Sequence, residues 1–156
     1  MTEKTAKVSY VRAYGKVREI EPYRIRSLAQ LVYSTQFELL ISAVIIINAV
    51  SLAVLTMPNL SPEAIALANN VDLAAYVIYV VELILRLISY GKKPWKFFKE
   101  GWNVFDFVII GLTPFFQGQT AVIRLLRLMR LIRIFRFLPE VRILSASIVK
   151  SIPPLL

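Results

Sequence analysis

The chain has 156 residues, 57% of them hydrophobic, and a formal net charge of +9 from 19 Lys and Arg against 10 Asp and Glu. An ordinary soluble domain is about 45–50% apolar, so with this many charges the apolar surplus must be concentrated in parts of the chain. It holds neither cysteine nor histidine, which removes a disulfide framework, a thiol nucleophile, a Cys/His zinc site and a histidine-based triad, and with the acids scattered no catalytic residue, metal or cofactor is expected.

Residues 1–34 form a basic segment in which Tyr23 to Ser34 is expected to make a short interfacial helix. Phe37 to Met57 is a 21-residue run whose only charge, Glu38, lies at its beginning, at headgroup level. About 20 apolar residues at 1.5 Å rise cross a hydrocarbon core of about 30 Å, and Ile41 to Ile47 has almost no polar stripe, so this is a membrane span. The polar residues ahead of it exclude a secretory signal. Met57-Pro-Asn-Leu-Ser-Pro62 then breaks the chain.

Asn70 to Tyr90 is the second span, carrying Asp72, Glu82 and Arg86, with Gly91 as its cap and Pro94 just beyond. The third, 103–116, is short and carries Asp106. Gln117-Gly-Gln-Thr120 links it tightly to the fourth, 121–138, which holds five arginines and no acid. After Pro139, suited to a first helical turn, residues 139–156 put Val141, Leu144, Ile148 and Ile152 on one side and Arg142, Ser145 and Lys150 elsewhere. That is an amphipathic helix on the membrane surface. The expected fold is an all-α membrane protein, an antiparallel four-transmembrane-helix bundle over 35–138 with an amphipathic linker helix after it.

Basic residues in short loops set the orientation. Seven Lys or Arg precede the first span, and Lys92, Lys93, Lys96 and Lys99 lie between the second and third; the links 58–69 and 117–120 hold none. Trp95 and Trp102 fall at the same boundary with Phe97 and Phe98, as an interfacial belt would. Both termini are expected to be cytoplasmic, in a multi-pass protein of the plasma membrane.

Arg124, Arg127, Arg130, Arg133 and Arg136 recur at every third position. Each costs about 2.5–3.5 kcal/mol at mid-membrane on insertion scales, so neighbours must supply counter-charge and water. In an α-helix a step of three spirals round the surface, whereas in a 3₁₀-helix the charges form one row. Either form lets the helix move one register and put each Arg where its neighbour was. One elementary charge moved through the field is worth about 2.3 kcal/mol per 100 mV. Basic runs also bind nucleic acid, and Arg/Leu helices also lie on membrane surfaces. Three membrane-competent segments upstream and the short link before the ladder argue against both, and no nucleic acid is expected.

The acids stand at useful depths. Glu82 is about 12 Å from the inner end of the second helix and Asp106 about 6 Å deep in the third, at 1.5 Å per residue. Asp72 lies near the outer end and Asn48 roughly mid-membrane. Tyr79, one turn outward from Glu82, is placed to seal outer water from inner water, or simply to pack. Arg86, at i+4 from Glu82, either shares the inner cluster or only neutralises it. Asn48 can join helices without a gating role, and Asp72 can be merely hydrated.

Tyr79-x-x-Glu82-x-x-x-Arg86, Asn103-Val-Phe-Asp106-Phe and the ladder together resemble the voltage-sensor domain of voltage-gated cation channels. Asn48, the stretch Trp102 to Phe107 and Pro114 are most similar to bacterial voltage-gated sodium channels. The resemblance implies a voltage sensor whose gating charges are the five arginines and whose charge-transfer centre is Tyr79, Glu82 and Asp106. Asn48 and Asp72 would form an outer cluster, with Arg86 and Asn103 in the supporting network. It implies a lipid bilayer and a pore domain as partners, in a homotetrameric parent channel; the isolated domain is expected to be a monomer, with a dimer as the alternative. Residues 139–156 would be the sensor-to-pore linker and the truncated start of a pore domain, without a selectivity filter. The fifth arginine, Arg136, departs from many bacterial sodium-channel sensors, which have an apolar or small residue there.

Voltage-gated proton channels also consist of four such helices and form the competing reading. They carry an Asp in the first helix, where Phe37 to Met57 has none and Asn48 holds the middle. A sensor attached to an enzyme, as in voltage-sensitive phosphatases, fits less well, because nothing after Leu138 looks like a phosphatase.

Overall fold

The structure, a computed structural model, describes residues 9–13, 16–20, 23–137, 144, 147–148 and 150–153. Two strands, β1 (Ser9–Ala13) and β2 (Lys16–Ile20), come first, followed by the helices α1 (Arg26–Val32), α2 (Thr35–Val54), α3 (Pro62–Ser89), α4 (Gly101–Leu112) and α5 (Thr120–Leu131). Shorter 3₁₀ segments cover Pro94–Lys99, Thr113–Phe116 and Ile132–Phe137. The linker expected over 139–156 lies largely outside the described residues; Leu144, Ser147, Ile148 and Lys150 to Pro153 are helical, and Leu144, Ile148 and Ile152 are exposed.

The strands pair antiparallel with Ser9 opposite Ile20 and Ala13 opposite Lys16, which corrects the all-α expectation. Strand-favouring Tyr10, Val11, Val17 and Ile20 lie on either side of the turn-former Gly15.

Local chemistry sets the helix ends. Ser34 caps α2 by accepting from the Phe37 N–H at 3.2 Å, and Ser61 caps α3 by accepting from the Ala64 N–H at 3.2 Å. Ser61, Pro62 at the first position and Glu63 in the first turn make a strong start signal. The second helix therefore begins at Pro62, not at Asn70, and two thirds of the expected link 58–69 is helical. Pro114 converts the end of the third helix to 3₁₀. Among the described residues α2 alone is long and apolar enough to cross a membrane by length and composition, and Gly101–Phe116 is a shorter apolar stretch. The charges within α3 and the shortness of α4 and α5 keep them below that threshold.

Side-chain pairings fix the directions. Ser51 and Asn48 of α2 meet Ala68 and Tyr79 of α3; Tyr76 and Tyr90 meet Ile110 and Asn103 of the third helix. One number falls as its partner rises, so each pair is antiparallel. α5 and its 3₁₀ extension pack back on both α2 and α4. Ile41, Ile45, Ala75, Tyr79, Leu83 and Ile110 form the apolar centre. The surface is inverted relative to a soluble domain: Leu39, Ile47, Leu73, Val81 and Phe115 are exposed while Glu82, Arg86, Asp106, Arg130, Arg133 and Arg136 are buried.

The N-terminal segment closes over one end of α3. Tyr23 to Ser34, expected as one interfacial helix, contains α1, whose Ala29 and Val32 are buried and which packs on α3. Arg24 donates to the Ser89 hydroxyl at 3.0 Å and to the Tyr33 hydroxyl at 3.3 Å, with its guanidinium 4.1 Å from the centroid of the Tyr90 ring. The Ile25 N–H donates to the Ser89 carbonyl at 3.0 Å. Gly91, at φ +59°, lets the backbones meet: a Cβ there would stand 2.2 Å from the Tyr23 carbonyl oxygen. Gly91→Ala is expected to lower stability by about 2 kcal/mol or more, through left-handed strain and that clash. Thermal unfolding in detergent beside Gly111→Ala, where a Cβ meets nothing within 4 Å, checks it; equal losses would refute the close-approach argument.

Candidate functional site

The buried face of α3 presents Asp72, Tyr79, Glu82 and Arg86, and Tyr76 lies half-buried beside them. Spacings of three and four keep these residues on one side of an α-helix. Opposite them runs the ladder, which uses both helix types anticipated as alternatives. Arg124, Arg127 and Arg130 are in α5, Arg133 and Arg136 in the 3₁₀ segment Ile132–Phe137. In α form each three-residue step falls about 60° short of a full turn; in 3₁₀ form it returns to the same side.

Exposure follows that geometry. Arg124 is exposed, Arg127 about a third exposed at 34%, and Arg130, Arg133 and Arg136 are buried. Arg127 Nε lies 3.2 Å from Asp72 Oδ2, and an Arg130 amino group 3.8 Å from Asp72 Oδ1. The Arg130 guanidinium also sits 5.3 Å from the centroid of the Tyr76 ring, and that of Arg133 4.6 Å from the Tyr79 ring. Arg133 donates from Nε to Asp106 at 2.9 Å and also bonds Glu82. Arg136 bonds Asp106 and lies 3.8 Å from Glu82. Arg86 bonds Glu82 from within α3.

Partners on α3 thus ascend Asp72, Tyr76, Tyr79, Glu82 as the ladder ascends Arg127, Arg130, Arg133, Arg136, so these two helices run parallel. These partners, two carboxylates with two rings between them, recur about every turn. A crevice of about 380 Å³, lined by Asp72, Tyr76, Thr113, Gln117, Arg127 and Arg130, reaches the first acceptor and stops short of Tyr79, which is wholly buried.

The remaining expected residues divide. Asn48 is buried, with its amide nitrogen 3.5 Å from the Tyr79 hydroxyl. Asn103 stands apart from the ladder: its amide donates to the Phe97 carbonyl at 3.1 Å, Glu100 at 3.2 Å and the Tyr90 hydroxyl at 3.4 Å. It ties the start of α4 to the preceding turn. Tyr76 was not singled out from sequence, although its position three before Tyr79 was a readable signal; its hydroxyl also donates to the Ile110 carbonyl at 3.1 Å. Arg24 was missed as well, and its partners Tyr33, Ser89 and Tyr90 are joined to it only by folding.

A family profile described as ion transport protein matches residues 34–156. The voltage-dependent L-type calcium channel subunit alpha-1S of Rattus norvegicus is 35% identical over 80 residues, covering 51% of this chain and 4% of that protein. The human alpha-1C subunit is 36% identical over 80 residues, with the same coverage of 51% and 4%. Sodium channel protein 1 brain of Heterololigo bleekeri is 34% identical over 91 residues, covering 56% of this chain and 6% of that protein. The chain therefore matches a small part of each relative. These relatives are ion channels, not enzymes.

Removing one partner from a buried ion network leaves an uncompensated charge, at about 3–5 kcal/mol; a partly hydrated pair is worth about 1 kcal/mol or less. Asp106→Asn, which strips Arg133 and Arg136 together, is expected to destabilise the detergent-solubilised chain by about 3 kcal/mol or more. Asp72→Asn, which strips buried Arg130 but also the crevice-facing Arg127, should cost less, about 2 kcal/mol. Denaturant unfolding of the two variants decides, and equal losses would contradict this division of the ladder.

Proposed function

From the premise that the chain belongs to the ion transport protein family, we propose that it is the voltage-sensor module of a voltage-gated cation channel. In this reading α2, α3, the third helix and the arginine-bearing fourth cross the bilayer as an antiparallel bundle with both termini cytoplasmic. The exposed apolar faces meet hydrocarbon, as exposed apolar surface of this extent requires, and the buried charges neutralise one another within.

One observation carries the proposal. Arg127 and Arg130 share Asp72, Arg133 and Arg136 share Glu82 with Asp106 of the third helix, and between the two carboxylates of α3 the Tyr76 and Tyr79 rings face Arg130 and Arg133, so each of the four arginines has a partner. Displacing the fourth helix by one three-residue register, about 4.5 Å in α form and 6 Å in 3₁₀ form, hands each arginine to its neighbour's partner. The two end states are then similar in contact energy, and the field decides between them. At about 2.3 kcal/mol per charge per 100 mV, three charges moved outweigh any single contact that changes. Tyr79, Glu82 and Asp106 act as the transfer centre: the ring and carboxylates replace hydration for the guanidinium passing between the two water-facing sides. Arg86 and Asn48 hold Glu82 and Tyr79 in place, and residues 139–156 pass the motion to an attached pore.

The relatives divide between calcium and sodium channels by name, which supports a cation channel without choosing the ion. Asn48, Trp102 to Phe107 and Pro114 favour a sodium-selective parent of the bacterial type.

Voltage clamp of cells expressing residues 1–156, with surface delivery confirmed independently, tests the proposal. A transient, saturating displacement current without steady current is expected, and Arg130→Gln should reduce the charge moved by about one elementary charge per molecule. Surface-delivered protein that moves no charge would end the reading. A sustained current dependent on the pH gradient would instead make the four helices a proton pathway.

A further inference from the structure

A groove separate from the ladder lies where the N-terminal segment meets the end of α3. Its volume is about 630 Å³, and Tyr23, Ile25, Leu87, Ile88, Gly91 and Lys92 line it. Backbone contacts build it: the Lys92 N–H donates to the Tyr23 carbonyl at 3.3 Å, the Ile25 N–H to the Ser89 carbonyl at 3.0 Å, and Gly91 admits the approach. One wall is apolar and open, with Ile25 40% and Ile88 47% exposed, and it continues one turn back to Ile84 at 48%.

The rim is cationic. Lys92 borders the groove, and the Lys93 and Lys96 ammonium groups lie 5.3 and 5.0 Å from the centroid of the Tyr23 ring. None of Lys92, Lys93, Lys96 and Lys99 forms an ion pair among the described residues. Two ammonium groups on one ring gain from its negative face but repel each other, and no acid among the described residues pairs with them.

An apolar wall running lengthwise into a rim of unpaired cations has the complementarity of one ligand class. We propose that the groove binds an anionic phospholipid, its phosphate against Lys92, Lys93 and Lys96 and an acyl chain along Ile88 and Ile84. The inference rests on the reading in which this end of α3 faces the cytoplasmic leaflet. The bound lipid bridges the N-terminal segment and α3, so it fastens the piece that Arg24 already clamps. An inorganic phosphate would satisfy the lysines and leave the apolar wall unused.

Native mass spectrometry of the chain released from nanodiscs of dioleoyl phosphatidylcholine and dioleoyl phosphatidylglycerol provides the test. The phosphatidylglycerol should be retained in about tenfold or greater preference, reduced to about threefold or less in Lys92→Gln/Lys93→Gln/Lys96→Gln. Lys99→Gln, an equal change per site at a lysine outside the groove's lining, should leave the preference intact. Loss of preference in Lys99→Gln would reduce the effect to general surface attraction and overturn the groove. Displacement of the lipid by millimolar inorganic phosphate would overturn the lipid assignment. Displacement currents recorded from the wild-type chain keep the two ideas apart: charge movement without lipid preference sinks only the groove, and lipid preference without charge movement sinks only the sensor.

Discussion

Two carboxylates hold the interior together. Glu82 and Asp106 are both buried and receive Arg86, Arg133 and Arg136. A lone ion in low dielectric costs several kcal/mol even after relaxation, so none of these groups could be where it is without the others. That mutual dependence explains why the helices close on one another. Asp106 must come from the third helix, Glu82 from α3 and the guanidinium groups from the fourth, and any arrangement that separated them would strand a charge. The apolar contacts among Ile41, Ile45, Ala75, Leu83 and Ile110 fill the remaining space. They are non-directional and would tolerate several packings; the ion network tolerates only registers that leave a guanidinium on each buried carboxylate.

The same constraint accounts for how the chain reads in sequence. The ladder, the two deep acids and the Gly91 cap were legible, because each rests on residue types that physical chemistry restricts sharply at those positions. The start of α3 was readable too, but the pair Pro58 and Pro62 drew attention as a break when Pro62 was a helix's first residue. The hairpin of β1 and β2 was hard to read because its short strands lie in a basic segment and do not alternate strictly between polar and apolar residues. Other features lay beyond a sequence reading. Arg24 finds Ser89 and Tyr90 sixty-odd positions away in the chain, and nothing local to Tyr23-Arg24-Ile25 foretells that a buried cation will be shared between two phenol rings. Asn103 looked like part of the ladder's network from its place beside Asp106, yet at the first turn of α4 its amide meets the preceding backbone instead.

The choice between α and 3₁₀ was equally undecidable from the repeat alone, since a three-residue period suits both. Partners decide it. Arg133 and Arg136 address the same two carboxylates, an arrangement favoured when a step of three returns to one side, as 3₁₀ geometry does. Arg124 and Arg127 have no such requirement: the one is exposed and the other shares Asp72 with Arg130, so the α spiral can turn them progressively outward at no loss. The change of helix type after Leu131 therefore lies where the ladder passes from the crevice to the sealed cluster around Tyr79.

If the 3₁₀ stretch exists because Glu82 and Asp106 demand a straight row, then the stretch belongs to the site and not to residues 132–137. A displacement of one register would bring Arg130 to the place of Arg133, and Arg130 would then have to enter the straight row while Arg136 left it. Secondary structure would convert along the chain as the chain moved, with hydrogen bonds exchanged one at a time between i−4 and i−3 acceptors. Each exchange trades one backbone bond for another of poorer geometry, a small change beside exposing a guanidinium to an apolar wall. An α-helix forced to keep its type throughout would have to rotate about 60° per step to present successive arginines to fixed acids. The mixed helix can translate without that rotation, and the side chains of Leu131 and Ile134, packed at the edge of the apolar centre, can keep their neighbours as it does so.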